Sequence, residues 1–492
     1  MDRWSRRFWA LNAAALALRL LVAAALPLTP DEAYYWLWSK TPAWGYYDHP
    51  PMVAWWIAAT TSLFGDSPLA VRLAAPLAFM LIAGFAYHLA RRVASGERAF
   101  LLGAAIQALP LFNLGGVILT PDTPLIAFWC IGLFVVHRLW RANRPNDYVW
   151  LGVVVGLGLL SKYTMILFPV ALLIALGREW RERWRGFALA AAVALAILIP
   201  HLSWSMAQGW TPLVFQWRHG TSGEGGLFEN IIGFAAAQIG LFTPGFVFLA
   251  ILAFRRRRQD AEATPFGPFV VAPLAFFLPF AMFSHAEAGW AAVAYPAALW
   301  LGWRYAARLG GVLDGVLRKS IYLALVLTAV LYAWAFGLFG ENPVLTQGPR
   351  LTAEIGRLGR ALSEDEFYLP LVAQHYRLAA WTTYNVTGAQ QPVRVLPLAG
   401  RRGSEFDIGD STHMESGFIW IGEARASEQP PPARDFDCAY ADELWPTLRP
   451  VGDFRFLVCR RSAGLRPDEG SFVPSSFFYT PLIGSPPFAK TN

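Results

Sequence analysis

The sequence predicts a mainly α-helical polytopic membrane protein of about 11 transmembrane helices, followed by a C-terminal α/β domain outside the membrane. Three observations predict it. The 492-residue chain is 55% hydrophobic and only 15% charged, where a soluble chain of this size carries about 25% charged residues. Apolar windows of membrane-spanning length recur from residue 8 to residue 340. Beyond 340 the chain turns polar, with proline clusters such as QPPPARD between short strand-like runs such as FIWIG and FRFLVC.

The windows fall near 8–28, 68–90, 99–119, 122–140, 148–162, 163–177, 187–206, 228–254, 267–283, 289–305 and 320–340, the pair 148–177 being short enough to read as one broken element. With the N-terminus inside, the inner segments 1–7, 91–98, 138–147, 177–186, 255–262 and 303–319 hold 21 Lys and Arg. The outer segments hold three: Lys40, Lys162 and Arg218. Basic residues favour the cytoplasmic side, so this imbalance sets the orientation and explains RRRR at 255–258 without a ligand. The basic excess behind the chain's net charge of +7 belongs to this membrane part, and no nucleic-acid motif accompanies it. The opening MDRWSRRFWALNAAALALRLLVAAALPL resembles a signal peptide but is interrupted by Arg19 and lacks a small-residue cleavage site, so it reads as an uncleaved first helix. The expected domains are a membrane domain at 1–340, with a first outer loop at 29–67, and a soluble domain at 341–492 placed outside by the odd number of spans.

This topology gathers Asp31, Glu32, Asp48, His49, Asp122, Lys162, His285 and Glu287 on the outer face. In TPDEAYYW, Thr29 or Asp31 can cap a helix, but capping accounts for one acidic residue and not for the adjacent pair, so Asp31 is read as functional and Glu32 as its neighbour in either role. GYYDHPPMVAWWIAATTSLFG reads as a turn feeding an amphipathic helix along the membrane. There Asp48 beside His49 suits proton transfer or phosphate binding as well as a turn hydrogen bond. Asp122 in LTPDTPL can serve a site or cap the fourth span. Lys162 in GLGLLSKYTMILFP breaks an apolar run, where a lysine either snorkels or works. Arg19 and Arg72 lie in spans near their outer ends, with snorkelling and ligand contact both open. There is no HExxH, CxxC pair, Walker A or GxSxG pattern. Three cysteines make no metal set, while Cys438 and Cys459 share the outer domain, where a disulfide is chemically permitted.

Taken in order, the acidic pair of the first outer loop, then Y-D-H-P, then TPD at 120–122, then G-L-L-S-K ending at Lys162, then HAEAGWAAVAYPAAL resemble the polyprenyl-phosphate-sugar glycosyltransferases of the GT-C fold. The nearest groups are the bacterial protein O-mannosyltransferase-like family 39 and the aminoarabinose and galacturonic acid transferases of lipid A. The resemblance covers about residues 1–305, and YLPLVAQHYRLAAWTTYNVTG resembles the start of the extramembrane domain of bacterial relatives. It implies Asp31 as catalytic base, Glu32 as its partner in the acidic pair and Asp48 as the second loop acid. His49, Asp122, Lys162, Arg72 and His285 are implied in binding donor phosphate or substrate. His49 stands where lipid A transferases tend to have Lys. The implied partners are a polyprenyl-phosphate sugar donor, a glycolipid, glycan or protein acceptor, and the bilayer of the bacterial inner membrane. No cofactor is demanded, with a divalent metal left open.

The chemistry agrees with these residue types. An acceptor hydroxyl attacking an anomeric carbon must lose a proton to a base such as a carboxylate, and the departing lipid phosphate gains charge that a cation stabilises. Direct displacement inverts the anomeric configuration. The alternative, a polytopic transporter or flippase of a lipid-linked or small polar substrate, predicts inverted repeats and ionisable groups at the bilayer midplane. Here they crowd the outer face.

Overall fold

A computed structural model describes residues 2–221, 226–260, 263–283, 287–340, 343–361, 371–388, 393–395, 417–423, 436–440 and 454–461. The chain divides into two compact units. The first comprises Met1–Leu28, Trp38–Ser205 and Thr211–Asn342; the second comprises Thr29–Leu37, Met206–Trp210 and Pro343–Asn492. Residues 29–37 and 206–210 group with the C-terminal residues in the second unit.

The helices run α1 (Arg3–Ala25), α2 (Pro30–Lys40), α3 (Met52–Phe64), α4 (Pro68–Arg72), α5 (Ala74–Arg91), α6 (Gly96–Ala108), α7 (Pro110–Gly115), α8 (Asp122–Ala142) and α9 (Pro145–Leu159). They continue as α10 (Leu167–Leu176), α11 (Trp184–Ala207), α12 (Thr211–Thr221), α13 (Leu227–Phe242), α14 (Pro244–Arg256), α15 (Gly267–Phe283), α16 (Tyr295–Leu309) and α17 (Val312–Ala335). Among the described residues six helical stretches are long and apolar enough to cross a membrane: 3–25, 68–91, 122–142, 184–207, 264–282 and 312–335. The pair α13 and α14 makes a seventh if counted as one span.

Each of the eleven expected windows falls on a helix or helix pair, but several are too short to cross alone. At ~1.5 Å per residue the 15-residue α9 and the 10-residue α10 reach only about 22 Å and 15 Å, against a hydrocarbon core of about 30 Å. Window 228–254 is not one straight helix. Pro244 begins α14, Thr243 before it sits at φ 66°, and the two helices bend by 96°.

Small residues bring the helices of the first unit together, as expected where lipid supplies no hydrophobic drive. A side chain on Gly103 of α6 would meet the ring of Phe8 of α1 at 2.5 Å. On α9, Gly152 and Gly156 face Ala190 and Ala194 of α11, and a Cβ on Gly152 would lie 2.4 Å from the Ala190 carbonyl. The helix ends expected inside are tied by charge: Arg91 to Asp2, Arg318 to Glu97, Arg98 to Asp314, and Arg304 and Arg308 to Asp260. These five ion pairs join segments that are far apart in sequence.

In the second unit, α18 (Pro343–Ala361) and α19 (Tyr376–Thr382) accompany a sheet of β1 (Leu371–Ala373), β2 (Arg394–Val395), β3 (Gly417–Glu423), β4 (Phe436–Tyr440) and β5 (Phe454–Arg461). The order is β2-β1-β3-β5-β4, with β1 parallel to β2 and β3, and β5 antiparallel to β3 and β4. FIWIG and FRFLVC are β3 and β5, and Val372, Phe418, Trp420, Leu457 and Cys459 form the core against them. Cys459 is disulfide-bonded, Cys438 stands opposite it in the β4–β5 register, and Cys130 in α8 is free.

Candidate active site

α2 begins on a reciprocal cap. The Thr29 hydroxyl accepts from the Glu32 N–H at 3.2 Å, while the Glu32 carboxylate accepts from the Thr29 N–H at 3.0 Å and from its hydroxyl at 3.1 Å. This capping box assigns the N-cap to Thr29 and leaves Glu32 fully buried. Asp31, one residue earlier in the first turn, points elsewhere. Its two carboxylate oxygens accept from Nε and Nη2 of Arg377 at 2.8 and 3.2 Å. Arg377 sits in the first turn of α19, whose N-cap His375 accepts from the Leu378 N–H at 3.2 Å. Burial works against the Arg377 charge, but Asp31 and then Tyr376 more than offset it, so the guanidinium is held above its ordinary range. Arg377 was not singled out in the sequence, since an arginine in a polar domain is unremarkable.

In the first unit the expected Asp122 and Lys162 meet. Lys162 lies in extended backbone between α9 and the 3₁₀ turn 163–166 that leads into α10. Its Nζ donates to both oxygens of Asp122 at 2.8 and 2.9 Å. Pro121, not Asp122, is the N-cap of α8, and the turn is closed by Thr123, whose hydroxyl donates to the Gly115 carbonyl at 3.2 Å. The capping alternative for Asp122 therefore gives way to an ion pair at a helix N-terminus, which also suits the helix dipole.

Asp48 and His49 lie in the loop before α3. Asp48 is buried, and its carbonyl accepts from Gln216 Nε2 on α12 at 2.7 Å. The His49 Nδ1 is 3.4 Å from the same nitrogen. Tyr46 organises this loop: it stacks on Trp38 at 4.6 Å, donates to the Trp38 carbonyl and accepts from the Ala43 N–H. His201 of α11 braces it from another side. The imidazole Nδ1–H donates to the Trp44 carbonyl at 2.6 Å, which leaves Nε2 to accept from the Tyr163 hydroxyl at 3.0 Å. Neither Gln216 nor His201 was anticipated, although a histidine after Pro200 in an apolar helix is a signal of the kind Lys162 gave.

Two arginines act differently from the ligand role considered for them. Arg72 donates to the carbonyls of Ala23, Leu26 and Pro27 at 3.0, 2.6 and 2.8 Å, so it closes the C-terminal end of α1. Arg19 does not snorkel: it is buried, with its guanidinium 5.8 Å over the Phe79 ring. His285 lies outside the described residues, and Glu287 is exposed. Among the described residues no three His, Cys, Asp or Glu side chains converge as a metal ion requires.

A family model described as dolichyl-phosphate-mannose-protein mannosyltransferase matches residues 48–204. The fold resembles that of ArnT from Cupriavidus metallidurans solved bound to undecaprenyl phosphate, with a TM-score of 0.66 and 18% identity over 94% of this chain and 98% of that one. The lipid A galacturonosyltransferase RgtD of Rhizobium johnstonii is 31% identical over 313 residues, 60% of this chain and 66% of the relative. The chain is thus similar in sequence to glycosyltransferases of lipid A and in fold to ArnT. An undecaprenyl phosphate-α-4-amino-4-deoxy-L-arabinose arabinosyl transferase of Pseudomonas aeruginosa, another relative, is 33% identical over 172 residues, 33% of this chain and 31% of its own length. These alignments thus reach just under two thirds of the first curated relative and about a third of the second. Similarity to these glycosyltransferases does not favour the transporter alternative.

Proposed function

We propose that the chain moves a sugar from a polyprenyl-phosphate donor to a hydroxyl of a lipid A-type glycolipid at the outer face of the bacterial inner membrane. The observation that carries this reading is that the matched family region, 48–204, contains Asp48, Asp122 and Lys162, the last two joined as an ion pair. The acceptor class follows the curated relative RgtD, named for lipid A.

The proposed step is a single displacement. The acceptor oxygen forms a bond to the anomeric carbon while the bond to the phosphate oxygen breaks and its electron pair leaves with the lipid phosphate. Asp31 takes the hydroxyl proton. Lys162 and His49 offset the charge on the leaving phosphate, with Asp48 and Asp122 orienting them. Glu32 sets the first turn that presents Asp31, and Arg72 fixes the end of α1 ahead of it. His285 remains a proposed substrate contact. Inversion at the anomeric carbon follows. A topology of eleven crossings, some made by short or broken helices, puts the N-terminus in the cytoplasm and the domain after 340 in the periplasm, in line with the 21-to-3 distribution of basic residues.

The test is transfer by the full-length protein in proteoliposomes from radiolabelled polyprenyl-phosphate sugars, galacturonate and aminoarabinose among them, to lipid A. Labelled glycolipid is expected; donor movement across the bilayer without labelled acceptor refutes the reading. Reporter fusions after residues 95, 180 and 258 should be cytoplasmic, and those after 45, 215 and 400 external. A cytoplasmic reporter after residue 45 would remove Asp31 from any outer-face chemistry.

A further inference from the structure

The pairing of Asp31 with Arg377 has no place in the reaction described above, and it obstructs it. A hydroxyl proton must reach one of the two oxygens that now accept from the guanidinium. The obstruction is a weak one. The side chains are 38% and 49% exposed, and ion pairs so open to water contribute little, so separating them costs less than about tenfold in an equilibrium.

We propose that Arg377 is a donor-sensing positioning residue: in the donor-free protein its fork holds Asp31, and an oxyanion of the incoming donor takes over the fork and releases Asp31 to act as base. The inference rests on the reading of Asp31 as that base.

Three features of the second unit carry it. A guanidinium presents its donors as a planar fork that accepts carboxylate and phosphate in the same bidentate manner, so exchanging one for the other requires no new geometry at the arginine. The backbones on either side are braced by side chains other than the pair itself. Tyr34 packs on Tyr376 at 4.8 Å, and Trp36 meets Tyr384 edge-on at 4.9 Å. Release of Asp31 is therefore a rotation of one long side chain, with α2 and α19 left in place. Finally, Arg377 lies 5.9 Å from the Tyr376 ring, whose face also favours the cation, so the always-charged guanidinium keeps a favourable neighbour after Asp31 is given up. The device couples two events: the base is free for a larger share of the time, by up to about tenfold, once the group that must leave, or the sugar that must move, is held.

Two donor oxyanions share this chemistry, the lipid phosphate and the carboxylate of a uronic acid sugar. Binding of undecaprenyl phosphate to the full-length protein in nanodiscs, read by intrinsic tryptophan fluorescence, distinguishes them when combined with donor kinetics. If the phosphate is sensed, Arg377→Gln weakens binding by about tenfold, Arg377→Lys keeps much of it, and Asp31→Asn tightens it severalfold by freeing the fork. The Asp31→Asn, Arg377→Gln double variant should then bind like Arg377→Gln alone. If the uronate is sensed, binding of the bare lipid phosphate stays at the wild-type level in all variants. In that case Arg377→Gln raises KM for a polyprenyl-phosphate uronate by about tenfold, but not for a neutral-sugar donor, with kcat less affected. A folded Arg377→Gln protein, or Arg377→Lys should the first not fold, with wild-type lipid binding and wild-type KM for both donors overturns the proposal. Full turnover by Asp31→Asn refutes the assignment of the base itself, whatever the binding pattern.

Discussion

Of the acid–base pairs that include a candidate site residue, Asp122–Lys162 lies in the first unit and Asp31–Arg377 in the second, and the two are built differently. Asp122 and Lys162 are 27% and 12% exposed, at the start of α8 and at the break after α9, and the lysine meets the carboxylate as a point charge. Asp31 and Arg377 are more open, 38% and 49%, and meet as a fork. A shielded pair of this kind is costly to split, because either partner left alone keeps its desolvation penalty. An open pair separates easily. The difference suggests a division of labour in which one pair maintains a charge pattern and the other is exchanged.

The largest effect expected is on chemistry. Asp31→Asn preserves shape and removes the proposed base, so kcat should fall at least ~100-fold. A well-folded variant turning over normally would leave the open pair with no role in proton transfer. Next comes donor binding: Lys162→Ala should raise donor KM by about tenfold with a smaller change in kcat, since a phosphate contact is lost. Equal losses in kcat and kcat/KM would instead place Lys162 at the transition state alone. Stability should separate the pairs as well. Asp122→Asn, which leaves the shielded lysine without its counter-charge, should cost about 1–3 kcal/mol in a denaturation assay. Arg377→Gln should cost no more than about 1 kcal/mol. The reverse order would contradict the distinction drawn from exposure.

The two pairs also differ in how legible they were. Lys162 and Asp122 stand out because a charge among apolar residues is conspicuous, and both were anticipated as site residues. Their meeting was not, since it depends on α8 and the α9–α10 break coming together. Asp31 was equally conspicuous, but Arg377 lies 346 positions away, and no local pattern announces a contact over that separation. Helix existence was readable from apolar windows throughout. Helix length was not: Pro110 and Pro244 cut expected spans into shorter pieces. Arg72 shows the same limit on a smaller scale. Its charge was visible, while the three carbonyls that use it belong to the end of a different helix.

The cap formed by Thr29 and Glu32 has a consequence for reading variants of this protein. Two acids adjacent in sequence invite treatment as one motif, yet they answer to different constraints. Position 32 requires an acceptor that can reach back to the Thr29 N–H, and a glutamine carbonyl supplies one. Position 29 requires a hydroxyl, which serine supplies. Drift from Thr to Ser and from Glu to Gln keeps the acceptors that the helix start uses, whereas the same carboxylate-to-amide change one residue earlier abolishes the proposed base. An amide scan of the acidic pair would therefore separate the helix start, which a neutral acceptor can serve, from the proton transfer proposed for Asp31, which it cannot.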